Sequence, residues 1–391
     1  MLTRRRFLQT GGVAFLSLAA APGQNLADVR DKLPDGSAAK DMISPACQQA
    51  IDAGLAYLAQ SQHPDGSFGT EGYKGNVAIT SLGALAMMSG GHQPGRGKYG
   101  KVVRDALEYV LSQEQGNPAG FLYNARPWRQ GGHGPMYGHG FGTLFLAEVY
   151  GMLHNKDQRD RLHDTLKRAV ELIIKSQNKS GDKAGGWRYK PGDGDADISV
   201  TICQIMALRA ARNAGFAVPK ETADRCIDYV KKCQNLRPGD SDHVRGSFNY
   251  MSGQGGGMGG GVQQIAFART AAGVVALNSA GVYTGKEVQE GLNYLIRWKQ
   301  KQVNGDRSLL SFRGPDIHYF YGHYYAVQAM WTRGEAYWTQ WFPFVREELL
   351  THSQRRAPDG SWHDNICSHY ATAMACIILQ VPNNYLPILQ K

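Results

Sequence analysis

The residues able to do chemistry in this 391-residue chain recur at matching places. Each of several small-residue helices starts near a threonine, and a polar residue lies a turn before it. Thr80 is preceded by Asn76, Thr143 by His139 and Thr201 by Asp197, each four residues earlier; His369 lies three before Thr372, and His323 opens the equivalent helix. Helix capping accounts for Asn and Asp but not for the histidines, which are poor caps. The carboxylates of Asp193-Gly194-Asp195-Ala196-Asp197 suit proton transfer. Tyr321, Tyr324 and Tyr325 stand in the densest aromatic stretch, 318–344, and aromatic faces stabilise cations. Most of the other aromatics there read as packing.

The elements that must position these residues repeat along the chain. An apolar helix ends near a glutamine, a Gly/Asp/Pro turn follows, and an aromatic residue closes the phrase. The copies are Gln62 to Phe68, Gln113 to Phe121, Gln177 to Trp187, Gln234 to Phe248, Gln302 to Phe312 and Gln354 to Trp362. Before each phrase the apolar residues keep a helical period, as in Leu162, Leu166 and Val170. After each comes a helix of Ala, Gly, Thr and larger apolar residues, as in Thr201–Ala211, whose composition suits burial on all sides. Six such hairpins, each needing neighbours, close into an all-α ring, an (α/α)6 toroid with six inner and six outer helices over residues 45–391.

The phrase resembles the Gln-Trp repeat of squalene cyclases and of protein prenyltransferase β subunits, from about Ala46 to Leu386. The resemblance implies that the glutamines and aromatics tie outer helices together, and that the inner helices' N-termini converge on a central cavity. Asp193 to Ser199 resembles the Asp-x-Asp-Asp-Thr motif of class II terpene cyclases, with Asp195 and Asp197 matching, Ile198 replacing the last Asp and Ser199 the Thr. By that resemblance Asp197 is the acid, Asp195 its support, and Asn76, Tyr321, Tyr324 and Tyr325 line the cavity. Tyr321-Gly322-His323 resembles the Asp-x-Cys stretch that supplies zinc ligands in prenyltransferases, and His369 matches their third ligand, so zinc on His323 and His369 is the implied metal.

Three functions are compatible with these residues. One is an isoprenoid cyclase or mutase using Asp197. A second is a polysaccharide lyase or other carbohydrate enzyme, with His139, His323 or a tyrosine as acid and base and Arg188 or Arg269 neutralising a uronate. A third is a non-catalytic ring binding a lipid or a protein. Single-barrel length argues against full triterpene cyclisation.

The ends and composition set the remaining bounds. Arg4-Arg5-Arg6-Phe7-Leu8 followed by the uncharged Val13–Ala21 resembles a twin-arginine export signal over residues 1–23, with a linker over 24–44 and a periplasmic or extracellular destination. The formal charge of +10 falls to about +7 without Arg4, Arg5 and Arg6, and no nucleic-acid-binding motif is present. No later apolar run is long enough to span a bilayer. The six cysteines form no Cys-x-x-Cys pair, and Cys226 and Cys233, two helical turns and roughly 10 Å apart, are too distant to bond. The glycine-rich stretch Met251–Val262 and Gly131-Gly132-His133-Gly134 read as loops at the rim.

Overall fold

The computed structural model describes residues 39, 41–124, 134–253, 262–304, 318–351 and 356–390. The export-signal segment, Phe312, Gln354, Gly131–His133 and most of the glycine-rich stretch lie outside the described residues.

Twelve α-helices alternate between an outer and an inner role among the described residues. The outer helices are α1 (Pro45–Ser61), α3 (Gly100–Ser112), α5 (Lys156–Ser176), α7 (Lys220–Lys232), α9 (Lys286–Val303) and α11 (Glu335–Thr351). The inner ones are α2 (Val77–Ser89), α4 (Pro135–Val149), α6 (Ile198–Asn213), α8 (Val262–Ser279), α10 (Tyr319–Arg333) and α12 (Ser368–Gln380). Every residue of α2 is buried, whereas α7 buries only Thr222, Cys226, Tyr229 and Val230 along one stripe. Each inner helix packs on the next, and α12 returns to α2, so the ring is closed. A two-stranded hairpin, β1 (Glu114–Gly116) and β2 (Ala119–Leu122), replaces the usual turn of the second repeat.

The repeated phrase builds this ring by three contacts. The glutamine amide donates both to its own turn and to the next outer helix: Gln62 to Gly66 O and Val102 O, Gln177 to Gly185 O and Thr222 O, Gln234 to Gly246 O and Glu287 O. The turn glycine presses on that same helix. At Gly185, with φ +96, a Cβ would lie 1.9 Å from Arg225 O, and at Gly360, with φ +88, it would lie 2.7 Å from Ala53 Cβ on α1, closing the outer ring. The aromatic residue then turns inward, fully buried at Phe68, Trp187, Phe248 and Trp362. Its backbone N–H donates to the threonine of the inner helix: Phe68 to Thr80, Trp187 to Thr201, Phe248 to Thr270 and Trp362 to Thr372, at 2.9–3.2 Å. The threonine register of the sequence is therefore a hydrogen-bonding register.

The last residues cross the other rim. Asn383 Nδ2 donates to Ser89 O of α2 at 3.0 Å, and Ile388 N to Glu148 Oε2 of α4 at 3.3 Å. Arg209 Nη2 of α6 donates to Gln390 O at 2.8 Å, and Trp331 Nε1 of α10 to Leu389 O at 3.2 Å. All four inner-helix partners lie in C-terminal turns, so these turns share one rim. Leu386, Ile388 and Leu389 are buried against it.

Candidate functional site at the N-terminal mouth

With the C-terminal turns on one rim, the inner helices' N-termini form the opposite mouth. The loops place side chains there by a second regularity. Two residues beyond the phrase aromatic, the backbone docks on the inner helix of the preceding repeat: Tyr189 O accepts from Met136 N of α4 at 3.1 Å, and Tyr250 O from Ile198 N of α6 at 2.9 Å. These carbonyls satisfy helix N–H groups that have no partner within the helix. They also bring Tyr189 and Tyr250 to the mouth, beside Tyr137 of α4 and Tyr321 of α10, all four partly exposed.

Asp197 is the buried charge of this mouth, at 0 % exposure. It caps α6: Oδ1 accepts from Ser199 N at 2.8 Å and Val200 N at 2.9 Å. Oδ2 accepts from Arg188 Nη1 at 2.7 Å. The same guanidinium donates to Tyr250 Oη at 2.9 Å, lies over the Tyr189 ring at 4.1 Å, and brings Nε to 3.6 Å from Asp195 Oδ2. Tyr189 and Tyr250 share a hydroxyl hydrogen bond of 2.5 Å. Burial pushes the Asp197 carboxyl above the usual carboxylate range, while the Val200 N–H and the Arg188 guanidinium pull it back. Burial, and then the nearby Asp197 charge, holds the Tyr137 hydroxyl well above its ordinary value, so it stays protonated.

The tyrosines of α10 cross the ring. Tyr321 Oη donates to Ser199 O at 3.1 Å, and one turn deeper Tyr325 Oη lies 3.5 Å from Cys203 Sγ. Both partners are on α6, with α8 between. Phe141 of α4 and Tyr324 of α10 meet with ring centroids 6.2 Å apart although these helices face each other across the ring. Side chains on opposite helices can touch only inside it. Phe141, Tyr324 and Tyr325 are buried, and burial pushes the Cys203 thiol up to about 12. Tyr324 and Tyr325, expected from sequence to line a cavity, thus form a packed floor, while Tyr321 stands partly exposed above it. Asn76 caps α2, accepting from Ile79 N at 3.1 Å.

The histidines have other work. His139, fully buried, accepts from Leu122 N at Nδ1 and packs on Phe121, and burial lowers its pKa to about 3. His369 accepts from Gly69 N at Nδ1 with 2.8 Å, which puts its proton on Nε2, and Nε2 contacts Ser61 Oγ at 2.8 Å. Both nitrogens are committed, so His369 has no lone pair to offer a metal. His323 lies among Phe267, Trp298, Tyr319 and Trp341, whereas His369 lies among Tyr57, His63 and Phe68. The structure does not bring the two together, and among the described residues no group of three His, Cys, Asp or Glu is placed to hold a metal ion.

Sequence reasoning missed Tyr137, Tyr189 and Tyr250 as mouth residues. The signal for two of them was their shared offset from Trp187 and Phe248.

Comparison with known proteins agrees with this architecture. Residues 145–331 match the family model of the squalene-hopene cyclase C-terminal domain, slightly under half of the chain. Comparison with curated proteins gave no match. Among solved structures, an inactive alpha-1,6-mannanase variant from Salegentibacter sp. HEL1_6, bound to alpha-1,6-mannotriose, is similar at a TM-score of 0.53 and 10 % identity. The match covers 86 % of this chain and 99 % of that one, and at such identity the likeness is one of fold. A type II terpene cyclase variant from Scytonema, bound to geranylgeranyl dihydroxybenzoate, gives a TM-score of 0.46 at 13 % identity, covering 87 % of this chain and 98 % of that one. The chain is an α/α toroid that resembles the squalene cyclase repeat family, with its sequence match over residues 145–331.

Proposed function

We propose that this toroid is an exported, terpene cyclase/mutase-like protein that protonates an isoprenoid at its N-terminal mouth. The observation that carries the reading is a fully buried carboxyl, Asp197, set among the tyrosines of the mouth. Alkene protonation needs an acid that burial favours in its neutral form, and aromatic faces for the cation that follows. Asp197 meets the first need once Arg188 releases Oδ2, and Asp195, 3.6 Å from Arg188 Nε, is the alternative partner for that guanidinium. The O–H bond of Asp197 then breaks as the alkene π pair forms a C–H bond. A cation is left on the neighbouring carbon, beside Tyr137 and Tyr321. The carboxylate regains a proton from an adjacent carbon, so the double bond shifts and the acid is restored.

The carbohydrate reading has less support, because its candidate base is already engaged: His139 Nδ1 accepts from Leu122 N at 3.3 Å. His139 is buried with its pKa near 3, and Arg269 is buried on α8. The twin-arginine-like segment over residues 1–23 is what supports the export part of the reading. No helix among the described residues is long and apolar enough to cross a membrane.

The test is deuterium incorporation from deuterated water into farnesol, geranylgeraniol or squalene by the purified chain. Wild type is expected to incorporate label, and Asp197→Asn, with unchanged circular dichroism, to lose at least about a hundredfold in rate. Label incorporated equally by Asp197→Asn moves the acid elsewhere. No incorporation by wild type leaves a binding ring.

A further inference from the structure

We infer that the mouth is an end-reader: it takes the terminal unit of its ligand and leaves the remainder outside the ring. This rests on the isoprenoid reading for the ligand's chemistry, and on packing alone for its depth.

The depth follows from the crossings. Asp197 caps α6, and Cys203 lies six residues further along the helix, about 9 Å deeper. At that level Cys203 is covered by Tyr325, whose hydroxyl reaches it from α10 at 3.5 Å. Tyr321 and Tyr325 stack edge-to-face at 4.7 Å, and Tyr324 and Tyr325 at 4.9 Å, so the three rings form one wall. Phe141 completes it from α4 by meeting Tyr324 across the ring. Three inner helices, α4, α6 and α10, therefore contribute to a floor one to two turns below the mouth. Exposure changes in step: Tyr137, Tyr189, Tyr250 and Tyr321 are partly open, whereas Phe141, Tyr324, Tyr325 and Cys203 are closed. Among the described residues, a long polyprenyl chain following this wall would have to displace aromatic rings to go deeper. The terminal double bond enters, Asp197 stands beside it, and the chain trails into whatever phase delivers it.

Two measurements separate depth from ligand identity. The first uses a small methanethiosulfonate reagent on the full chain, with labelled positions located by peptide mass spectrometry. Ser199→Cys, at the level of the mouth, is expected to react, while Cys203, one turn deeper on the same face, stays unmodified. In Tyr325→Ala, with folding checked by circular dichroism, Cys203 is expected to become reactive. Reaction of Cys203 in the wild type as fast as at Ser199→Cys overturns the floor, whatever the ligand is. The second measures affinity for geraniol, farnesol and geranylgeraniol. An end-reader binds all three within about threefold, whereas full burial of each added isoprene unit would raise affinity roughly a hundredfold or more. A steep rise with length overturns the inference and keeps the isoprenoid reading. Binding of none, with Cys203 protected, overturns the ligand class and upholds the shallow mouth.

Discussion

The second half of the third repeat carries an arginine to each end of the ring, Arg209 within α6 and Arg188 in the loop before it, and the two are used differently. At the far rim Arg209, 8 % exposed, donates to the carbonyl of Gln390 and faces Glu148. Its burial lowers its pKa, and its hydrogen-bond partner is a backbone carbonyl. At the mouth Arg188, from the loop just before α6, is held by side chains: Asp197, Tyr250, Tyr189 and Asp195. Backbone partners fix a charge in one place. A set of side-chain partners lets it exchange one for another at small cost. The rim is built to hold the fold and the mouth to rearrange.

That contrast can be broken by measurement. The largest effect is expected at His139, whose acceptor bond is to the Leu122 backbone. Its folded pKa is lowered from 6.5 to about 3, so between those values the unfolded chain binds a proton that the folded chain refuses. Stability then falls as pH falls through that window, by up to roughly 5 kcal/mol. His139→Gln, which keeps an acceptor, should flatten this dependence in urea unfolding at pH 7 and at pH 4, and an unchanged slope would assign the acid sensitivity elsewhere. Next comes Arg209→Met, which removes the charged donor that holds the Gln390 carbonyl. A loss of about 2 kcal/mol is expected in the same assay. The smallest effect is expected at Asp197→Asn, which keeps the capping oxygen and lets Arg188 pair with Asp195, for a loss of about 1 kcal/mol. If Asp197→Asn costs as much as Arg209→Met, the mouth is as fixed as the rim and Arg188 is no switch.

The ring was legible because its signals are local. Gln177, Gly185, Trp187 and Thr201 are close in sequence, and each makes its bond within its own repeat or with the next outer helix. The placement of Asp197 and Tyr321 at inner-helix N-termini was legible for the same reason, Asp197 as the N-cap of α6 and Tyr321 in the first turn of α10. Tyr189 and Tyr250 were not, because they act on a preceding repeat and nothing in their own neighbourhood requires it. The pairing of His323 with His369 illustrates the opposite error. Both open inner helices, yet their rings point into different aromatic clusters, and helix-start register does not fix which way a side chain faces. The packed interior was hidden as well: Phe141 and Tyr324 are separated by three repeats, and only closure of the ring makes them neighbours.

Closure also sets an order of events. Gly69 N–H is held by His369, 300 residues later, and Ala86 O by the Gln380 amide, 294 residues later. A ribosome that has made the first five repeats has made an arc with a bare seam on each flank, since neither α2 nor α1 has its final neighbour. Such long-range pairing comes late and slowly, and exposed seams invite association with other chains. The first hairpin must therefore wait, through almost the whole of synthesis, for the last one to clasp it.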